Sequence, residues 1–180
     1  MNEKQYNTEL FEFIKKATCS FTGVKEIKRI LLENNFLELE ENKIWALKNN
    51  QKYFVTRNDA SIIAFTLGTH NSFNITCTHI DTPSFCIKPK NAIYEKNYLK
   101  INVTPYGGLL NYAWLDEPLS IAGRVIIKNK NTYYKEIIDC KNALLCIPSV
   151  AIHQNANANE ALNLNSQIDM IPFLSLSNTK

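Results

Sequence analysis

The chain has 180 residues, which is the length of one large domain or two small ones. Hydrophobic residues make up 45% of it, which excludes disorder by composition. Its 20 basic and 17 acidic residues leave a net charge of +3, and no basic cluster alternates with aromatic residues, so no binding to nucleic acid is expected.

The cysteines and the apolar runs indicate where in the cell the protein is expected. The five cysteines are an odd number and form no C-x-x-C pair, so neither a disulfide framework nor a zinc knuckle is expected. The first residues, Met1–Gln5, are polar and lack the apolar core of a signal peptide. No apolar run approaches the roughly 20 residues that span a bilayer. We therefore expect a cytoplasmic protein without membrane partners.

Two helices are predicted at the start of the chain. A short helix is expected over Thr8–Ala17, whose apolar residues share one face. Thr22 is the expected cap of a second helix, in which apolar residues recur at helical spacing until about Asn34.

Three strands are predicted next, over Lys52–Thr56, Ser61–Leu67 and Phe73–Thr78. The third is an apolar run that ends directly before His79. Ligands commonly lie beyond the carboxyl ends of strands in open α/β sheets. His79 and Asp81 therefore stand where a functional site is expected.

The pattern changes in the second half of the chain. Asn91–Lys96 is predicted to be a connector, and a domain boundary is placed near residue 91. Turn signals then separate short strands, expected over Tyr98–Thr104, Leu119–Lys128, Tyr133–Asp139 and Leu144–Ile147. The chain is thus predicted to be an α/β protein with two domains, residues 1–90 and the β-rich residues 91–180.

The pentapeptide His79-Ile80-Asp81-Thr82-Pro83 is the most informative motif. A His and an Asp two residues apart can act as a unit, in which the imidazole binds a metal and the carboxylate orients the ring. Taken alone the motif is weak evidence, because most histidines in short motif matches are structural or solvated.

Further motifs follow in a fixed order. They are Tyr106-Gly107-Gly108, Trp114-Leu115-Asp116, Ala122-Gly123-Arg124-Val125 and Pro148-Ser149-Val150-Ala151-Ile152-His153. Together with the pentapeptide, this set resembles the aspartyl aminopeptidase family, the eighteenth metallopeptidase family. Its usual patterns are H-T-D-S-P, Y-G-G-G followed by W-F-D, A-G-R-V and P-N-L-A-I-H. Upstream, Phe36–Leu39 followed by Trp45 is similar to the family's G-F-x-x-L…W. The resemblance covers nearly the whole chain.

The chain also departs from these patterns. Leu109 stands where the family usually has a third glycine, and Glu117 replaces the Arg that follows W-F-D. We interpret Trp114 and Asp116 as structural. Gly107 and Gly108 are expected where the backbone has a positive φ or makes a close approach.

The resemblance implies a zinc-dependent aminopeptidase that removes N-terminal, often acidic, residues from peptides. In this family two zinc ions polarise the scissile carbonyl and activate a water, with a Glu as general base. Residues 1–90 would then be the N-terminal part of a mixed-sheet zinc-exopeptidase domain. Residues 91–180 would be a β-rich, incomplete inserted domain that mediates assembly. The implied partners are peptide substrates and further subunits of a homo-oligomer.

The resemblance also assigns roles to single residues. His79 matches the first zinc ligand, and Asp81 matches the carboxylate that orients it; the alternative for Asp81 is a turn residue before Pro83. His153 matches a histidine thought to reach the partner subunit's active site, and the alternative is a structural His at the end of a buried strand. His70 belongs to no motif and is expected to be solvated.

The rest of the family's binuclear zinc site has no counterpart in this sequence. That site needs a bridging Asp, a Glu pair, a further Asp and a distant His. The pair Glu40-Glu41 precedes His79, and no His follows His153. We therefore expect the isolated chain to be inactive. It could be a truncated product, half of a split gene whose C-terminal chain complements it, or a shortened version of the enzyme.

Two other readings remain open. The chain could be a non-catalytic assembly or interaction module, or a relic of the family that docks onto a full-length relative. It could also be an unrelated α/β binding protein whose motif matches arise by chance.

Overall fold

The structure is a computed structural model that describes residues 2–69, 72–160 and 163–176, so His70 lies outside the described residues. The chain divides into two compact units. The first unit comprises Met1–Asp81 and Ala122–Asp139, and the second unit comprises Thr82–Ile121 and Cys140–Lys180.

The first unit begins with helix α1, Glu3–Lys16. It starts earlier than the predicted Thr8 because Asn2 caps it: the Asn2 side chain accepts a hydrogen bond from the Gln5 backbone N–H at 2.9 Å. No residue of α1 is buried. Among the described residues, no helix is long and apolar enough to cross a membrane.

Helix α2, Ser20–Glu33, ends before Asn34 as predicted. Its N-cap is Cys19, so the prediction that Thr22 caps the helix is wrong. Thr22 lies one turn inside, and its hydroxyl accepts a hydrogen bond from the Cys19 backbone N–H at 2.9 Å. This is the reciprocal contact of a capping box, in which the residue three positions after the cap reaches back to it.

A small mixed sheet follows, made of β1 (Leu37–Leu39), β2 (Lys52–Arg57) and β3 (Ser61–Thr66). Strand β2 is central, parallel to β1 and antiparallel to β3. The buried residues of this unit include Phe54, which is 0% exposed, and Val24 of α2. The predicted α/β class with a mixed sheet is confirmed, although β1 itself was not expected to be a strand.

A hairpin of β6 (Ala122–Asn129) and β7 (Thr132–Asp139) also belongs to the first unit. Arg124 of β6 donates a hydrogen bond to the Asn58 backbone O at 2.5 Å. Its guanidinium also lies 4.8 Å from the centroid of the Phe21 ring. Arg124 thereby links the hairpin to the β2–β3 turn and to α2.

The second unit is built on a long antiparallel pair, β4 (Ser84–Glu95) and β5 (Tyr98–Tyr106), with β8 (Phe173–Leu176) on the other side of β5. The predicted connector Asn91–Lys96 is wrong. Lys96 has a φ of 51° and forms a tight turn, so the residues before it stay paired with β5. The division of function between residues 1–90 and 91–180 stays a prediction.

The core of the second unit draws on distant parts of the chain. Its buried cluster comprises Ile101, Val103, Leu145 and Ile171. The strand predicted over Leu144–Ile147 is present only as isolated bridges, from Leu145 to Leu119, from Cys146 to Phe173 and from Ile147 to Leu115.

Candidate functional site

The segment before the His79–Asp81 motif is not a strand. The prediction of a strand over Phe73–Thr78 is wrong, because residues 72–81 have no regular secondary structure. Phe73 is 86% exposed and Ile75 is 79% exposed. A strand needs a neighbour for its backbone hydrogen bonds. Within the described residues, no strand pairs with this segment.

The His79 imidazole is held by Asp81. Its Nδ1 lies 2.7 Å from the Asp81 backbone O and 3.4 Å from the Asp81 carboxylate Oδ1. The closer partner is a carbonyl oxygen, which can only accept a hydrogen bond. Nδ1 therefore carries the proton in this contact, and Nε2 of the neutral ring keeps the lone pair that binds a metal. The His79 side chain is 80% exposed, so this nitrogen is accessible.

Ile80, between these two residues, packs on helix α2. A Cβ at Gly23 would lie only 2.6 Å from Ile80 Cγ2, so the contact depends on the absence of a side chain at Gly23. The sequence motifs do not include Gly23. Gly23 could have been found from the sequence because it is a glycine inside a predicted helix. Glycine is less favourable there than alanine by about 1 kcal/mol, so its presence indicates that something packs closely against it.

Pro83, at the end of the motif, packs on Gly107, and both residues belong to the second unit. Gly107 has a φ of +77°, and a Cβ there would lie 3.4 Å from Pro83 Cα. The expectation of a positive φ and a close backbone approach is thus confirmed for Gly107. It is wrong for Gly108, which has no positive φ and would meet no atom within 4 Å.

His153 lies in a turn and is exposed. The turn is closed by hydrogen bonds from the backbone N–H groups of Gln154 and Asn155 to the Ala151 backbone O, at 2.8 and 3.3 Å. The alternative of a structural His at the end of a buried strand is therefore wrong. The role of His153 at a partner's active site stays a prediction.

Asp116 and Trp114 make the structural contacts expected of them. The Asp116 carboxylate accepts a hydrogen bond from the Ser149 backbone N–H at 2.9 Å, and the Asp116 N–H donates to the Ile147 backbone O at 2.9 Å. The hydrogen bonds from Ser149 lower the pKa of Asp116. The Trp114 ring packs edge-on against Phe85, with centroids 5.2 Å apart. Asp116 thereby fixes the start of the segment that leads to the exposed His153.

A zinc site is not completed by the described residues. Within residues 2–69, 72–160 and 163–176, no group of three or more His, Cys, Asp or Glu side chains is placed to hold a metal ion. Catalytic zinc typically has about three protein ligands. The Glu40-Glu41 pair is engaged elsewhere, Glu40 with Lys43 at 2.5 Å and Glu41 with Arg57. The chain thus supplies His79, whose tautomer suits a metal, but not a full ligand set.

Comparison with known proteins places the chain among the zinc metallopeptidases. The family model for the aminopeptidase I zinc metalloproteases, M18, matches residues 13–180. The chain belongs to this family, which is the one that its motifs resemble.

Individual relatives agree with this assignment. The chain is 39% identical over 99% of its length to a probable M18 family aminopeptidase 2 from Clostridium acetobutylicum, and 35% identical over 92% to an aspartyl aminopeptidase from Dictyostelium discoideum. A chain in the structure of the Ape4 and Nbr1 complex superposes on 96% of this chain with a TM-score of 0.91 and 31% identity. The mApe1 dodecamer of Saccharomyces cerevisiae superposes on 97% with a TM-score of 0.76 and 25% identity.

The matched regions are only part of these relatives. The chain spans 43% of the Clostridium acetobutylicum protein and 36% of the Dictyostelium discoideum protein. It covers 34% of the matched chain in the Ape4 and Nbr1 complex and 39% of the mApe1 chain.

Proposed function

We propose that this chain is part of a zinc-dependent aminopeptidase of the aspartyl type, which removes N-terminal residues, acidic ones among them, from peptides. The observation that carries the proposal is the His79–Asp81 contact of 2.7 Å, which engages Nδ1 and leaves Nε2 of an 80% exposed side chain accessible. Membership of a zinc metalloprotease family supports the choice of metal and reaction. The aspartyl aminopeptidase among its relatives supports the acidic preference.

In this proposal His79 binds zinc through Nε2. Asp81 holds the ring in the required tautomer through its backbone carbonyl and, at longer range, through its carboxylate. When bound, zinc supplies a Lewis acid for the scissile carbonyl and lowers the pKa of its water. In this proposal the other ligands and the general base lie outside these 180 residues.

The proposal also assigns partners and a place of action. His153, exposed on its turn, reaches the active site of a partner subunit in a cytoplasmic homo-oligomer. The resemblance to the chain of a dodecamer supports such an assembly.

The proposal is tested on the protein purified from its own host, by native mass spectrometry with metal analysis. We expect a complex that contains a second chain and zinc, and that cleaves a peptide with N-terminal Asp faster than one with N-terminal Ala. His79→Gln should lower the zinc content and reduce kcat/KM at least roughly 100-fold, because a ligand matters more than the outer residues whose loss lowers affinity or activity 10–100-fold.

The matched control is Cys77→Ser. Cys77 is exposed on the same segment and carries another metal-binding side chain, but no role is assigned to it. It should leave zinc content and activity unchanged. A lone, zinc-free, inactive chain would overturn the proposal and favour the assembly module. An equal loss of zinc in Cys77→Ser and His79→Gln would show that His79 is not the specific ligand.

A further inference from the structure

Ile80 lies between the two residues of the candidate site, and its side chain occupies the space that a side chain at Gly23 of α2 would need. A Cβ at Gly23 would stand 2.6 Å from Ile80 Cγ2 and 3.7 Å from Ala17 Cβ. The first distance is far below the ~3.5–4.0 Å at which carbon atoms pack best. Ile80 can lie where it does only because Gly23 has no side chain.

No local requirement of α2 explains this glycine. Glycine is among the least favourable residues in a helix interior. Gly23 lies inside α2 and does not have the positive φ that would call for glycine. Among the described neighbours of Gly23, Ile80 is the one that a larger residue would have to displace.

The contact matters because the segment that carries the site is irregular and exposed. Residues 72–81 have no regular secondary structure, and the His79 side chain is 80% exposed. The hydrogen bond from His79 Nδ1 to the Asp81 backbone O spans the peptide unit of Ile80. A shift of Ile80 away from α2 therefore changes the path of the backbone between the donor and the acceptor of this bond.

We propose that Gly23 is a positioning residue for His79 and Asp81. It acts through Ile80: by letting the Ile80 side chain settle on α2, it keeps the Asp81 carbonyl within reach of Nδ1 and thereby favours the Nδ1–H tautomer, in which Nε2 keeps its lone pair. The part played by the metal rests on the proposed function. The effect on the tautomer does not, because it exists without zinc.

The test is the imidazole tautomer of His79 in the metal-free full chain, read from 15N chemical shifts at a pH where the ring is neutral. His79→Gln assigns the signals. In the wild type the ratio of the Nδ1–H form to the Nε2–H form should be roughly fivefold higher than in a solvated histidine, which is what one net hydrogen bond gives. In Gly23→Ala the ratio should fall toward that of a solvated histidine, although helix propensity alone would make this variant more stable.

Two further variants keep the test decisive. Gly123→Ala makes the same change in the same unit, at a position with open space within 4 Å, and should leave the ratio at its wild-type value. In Gly23→Ala combined with Ile80→Ala, the clashing methyl group is gone, and the ratio should move back from that of Gly23→Ala. Folding of each variant is checked by its amide spectrum.

A folded Gly23→Ala variant with the wild-type tautomer ratio would overturn the inference. So would an equal change in Gly123→Ala. A tautomer change in Gly23→Ala together with a complex that never contains zinc would leave the positioning role intact while removing the proposed function. Zinc binding together with an unchanged tautomer in Gly23→Ala would remove the positioning role and leave the proposed function intact.

Discussion

The two candidate histidines are held by the fold in opposite ways. His79 lies on an irregular segment, yet its ring is hydrogen-bonded to Asp81, two residues later, and the residue between them packs on a helix. His153 lies in a turn whose backbone is well hydrogen-bonded, and the turn leaves its side chain exposed. In His79 the side chain itself is oriented by a hydrogen bond. In His153 the hydrogen bonds hold the backbone of the turn, and the side chain is exposed.

The largest effect should come from a buried residue in the segment that precedes the His153 turn. Ile147 is 0% exposed, and Ile147→Ala should lower the free energy of unfolding by about 2–5 kcal/mol, because it opens a cavity in the second unit. Urea denaturation measures this loss. Val150→Ala, at a side chain that is 55% exposed, is the control and should change the stability by less than about 0.5 kcal/mol. Equal losses would mean that Ile147 is not a core residue.

Parts of the fold were predictable because their signals are local. The end of α2 and the strands β2, β3, β5 and β7 follow from periodicity and turn residues that lie within a few positions of one another. Phe73–Thr78 has the composition of a strand, but composition does not supply a pairing partner. Strand β8 is short and is defined by its pairing with β5, far earlier in the chain, so no local pattern marks it.

The second prediction concerns α2, the helix on which Ile80 packs. Glu26 of α2 accepts hydrogen bonds from Arg29 at 2.7 Å and from Lys16 of α1 at 3.2 Å. These contacts, that with Arg29 above all, lower the pKa of Glu26 even though burial raises it. Glu26→Gln should reduce the free energy of unfolding at pH 7 by about 1 kcal/mol, a value below that for buried charged hydrogen bonds because both cations are half exposed.

The pH dependence follows from the sign of this shift. A carboxylate whose pKa is lowered by folding stabilises the fold fully when the pH is above its ordinary pKa of 4.5. This stabilisation is lost as the pH falls through the lower pKa of the folded state. The difference between wild type and Glu26→Gln should therefore shrink when urea denaturation is repeated below pH 4.5. Glu12→Gln, which removes a surface-exposed partner of Lys15, should have almost no effect at pH 7. A difference that persists unchanged in acid would contradict this assignment.

The candidate site was also only partly predictable. The His79–Asp81 unit could be identified because both of its members lie within one pentapeptide. The sequence indicated the Asp81 carboxylate as the partner, but the backbone carbonyl is closer, at 2.7 Å against 3.4 Å, and side-chain identity does not reveal a main-chain contact. Gly23 lies far earlier in the chain, and only the packing of α2 brings it to Ile80.

The smallest effect should come from the contact that fixes the start of the His153 segment. Asp116→Gly keeps a backbone that tolerates the φ of 61° and removes the carboxylate that holds the Ser149 N–H. Hydrogen exchange at the Ser149 amide should become several-fold faster, with little change in Tm. Asp116→Asn retains an acceptor oxygen and tolerance of a positive φ, so it should stay close to the wild type.

The same bond has a pH signature. Because the hydrogen bonds from Ser149 lower the pKa of Asp116 from 3.8, the carboxylate should hold the amide at pH 7 and release it only as the pH falls through a value below 3.8. The chemical shift of the Ser149 amide proton should follow that titration, and the His79 signals should not. If Asp116→Gly changed the His79 signals as well as the Ser149 amide, the two segments could not be independent. The contrast between an oriented His79 side chain and an exposed His153 on a hydrogen-bonded turn would then be wrong.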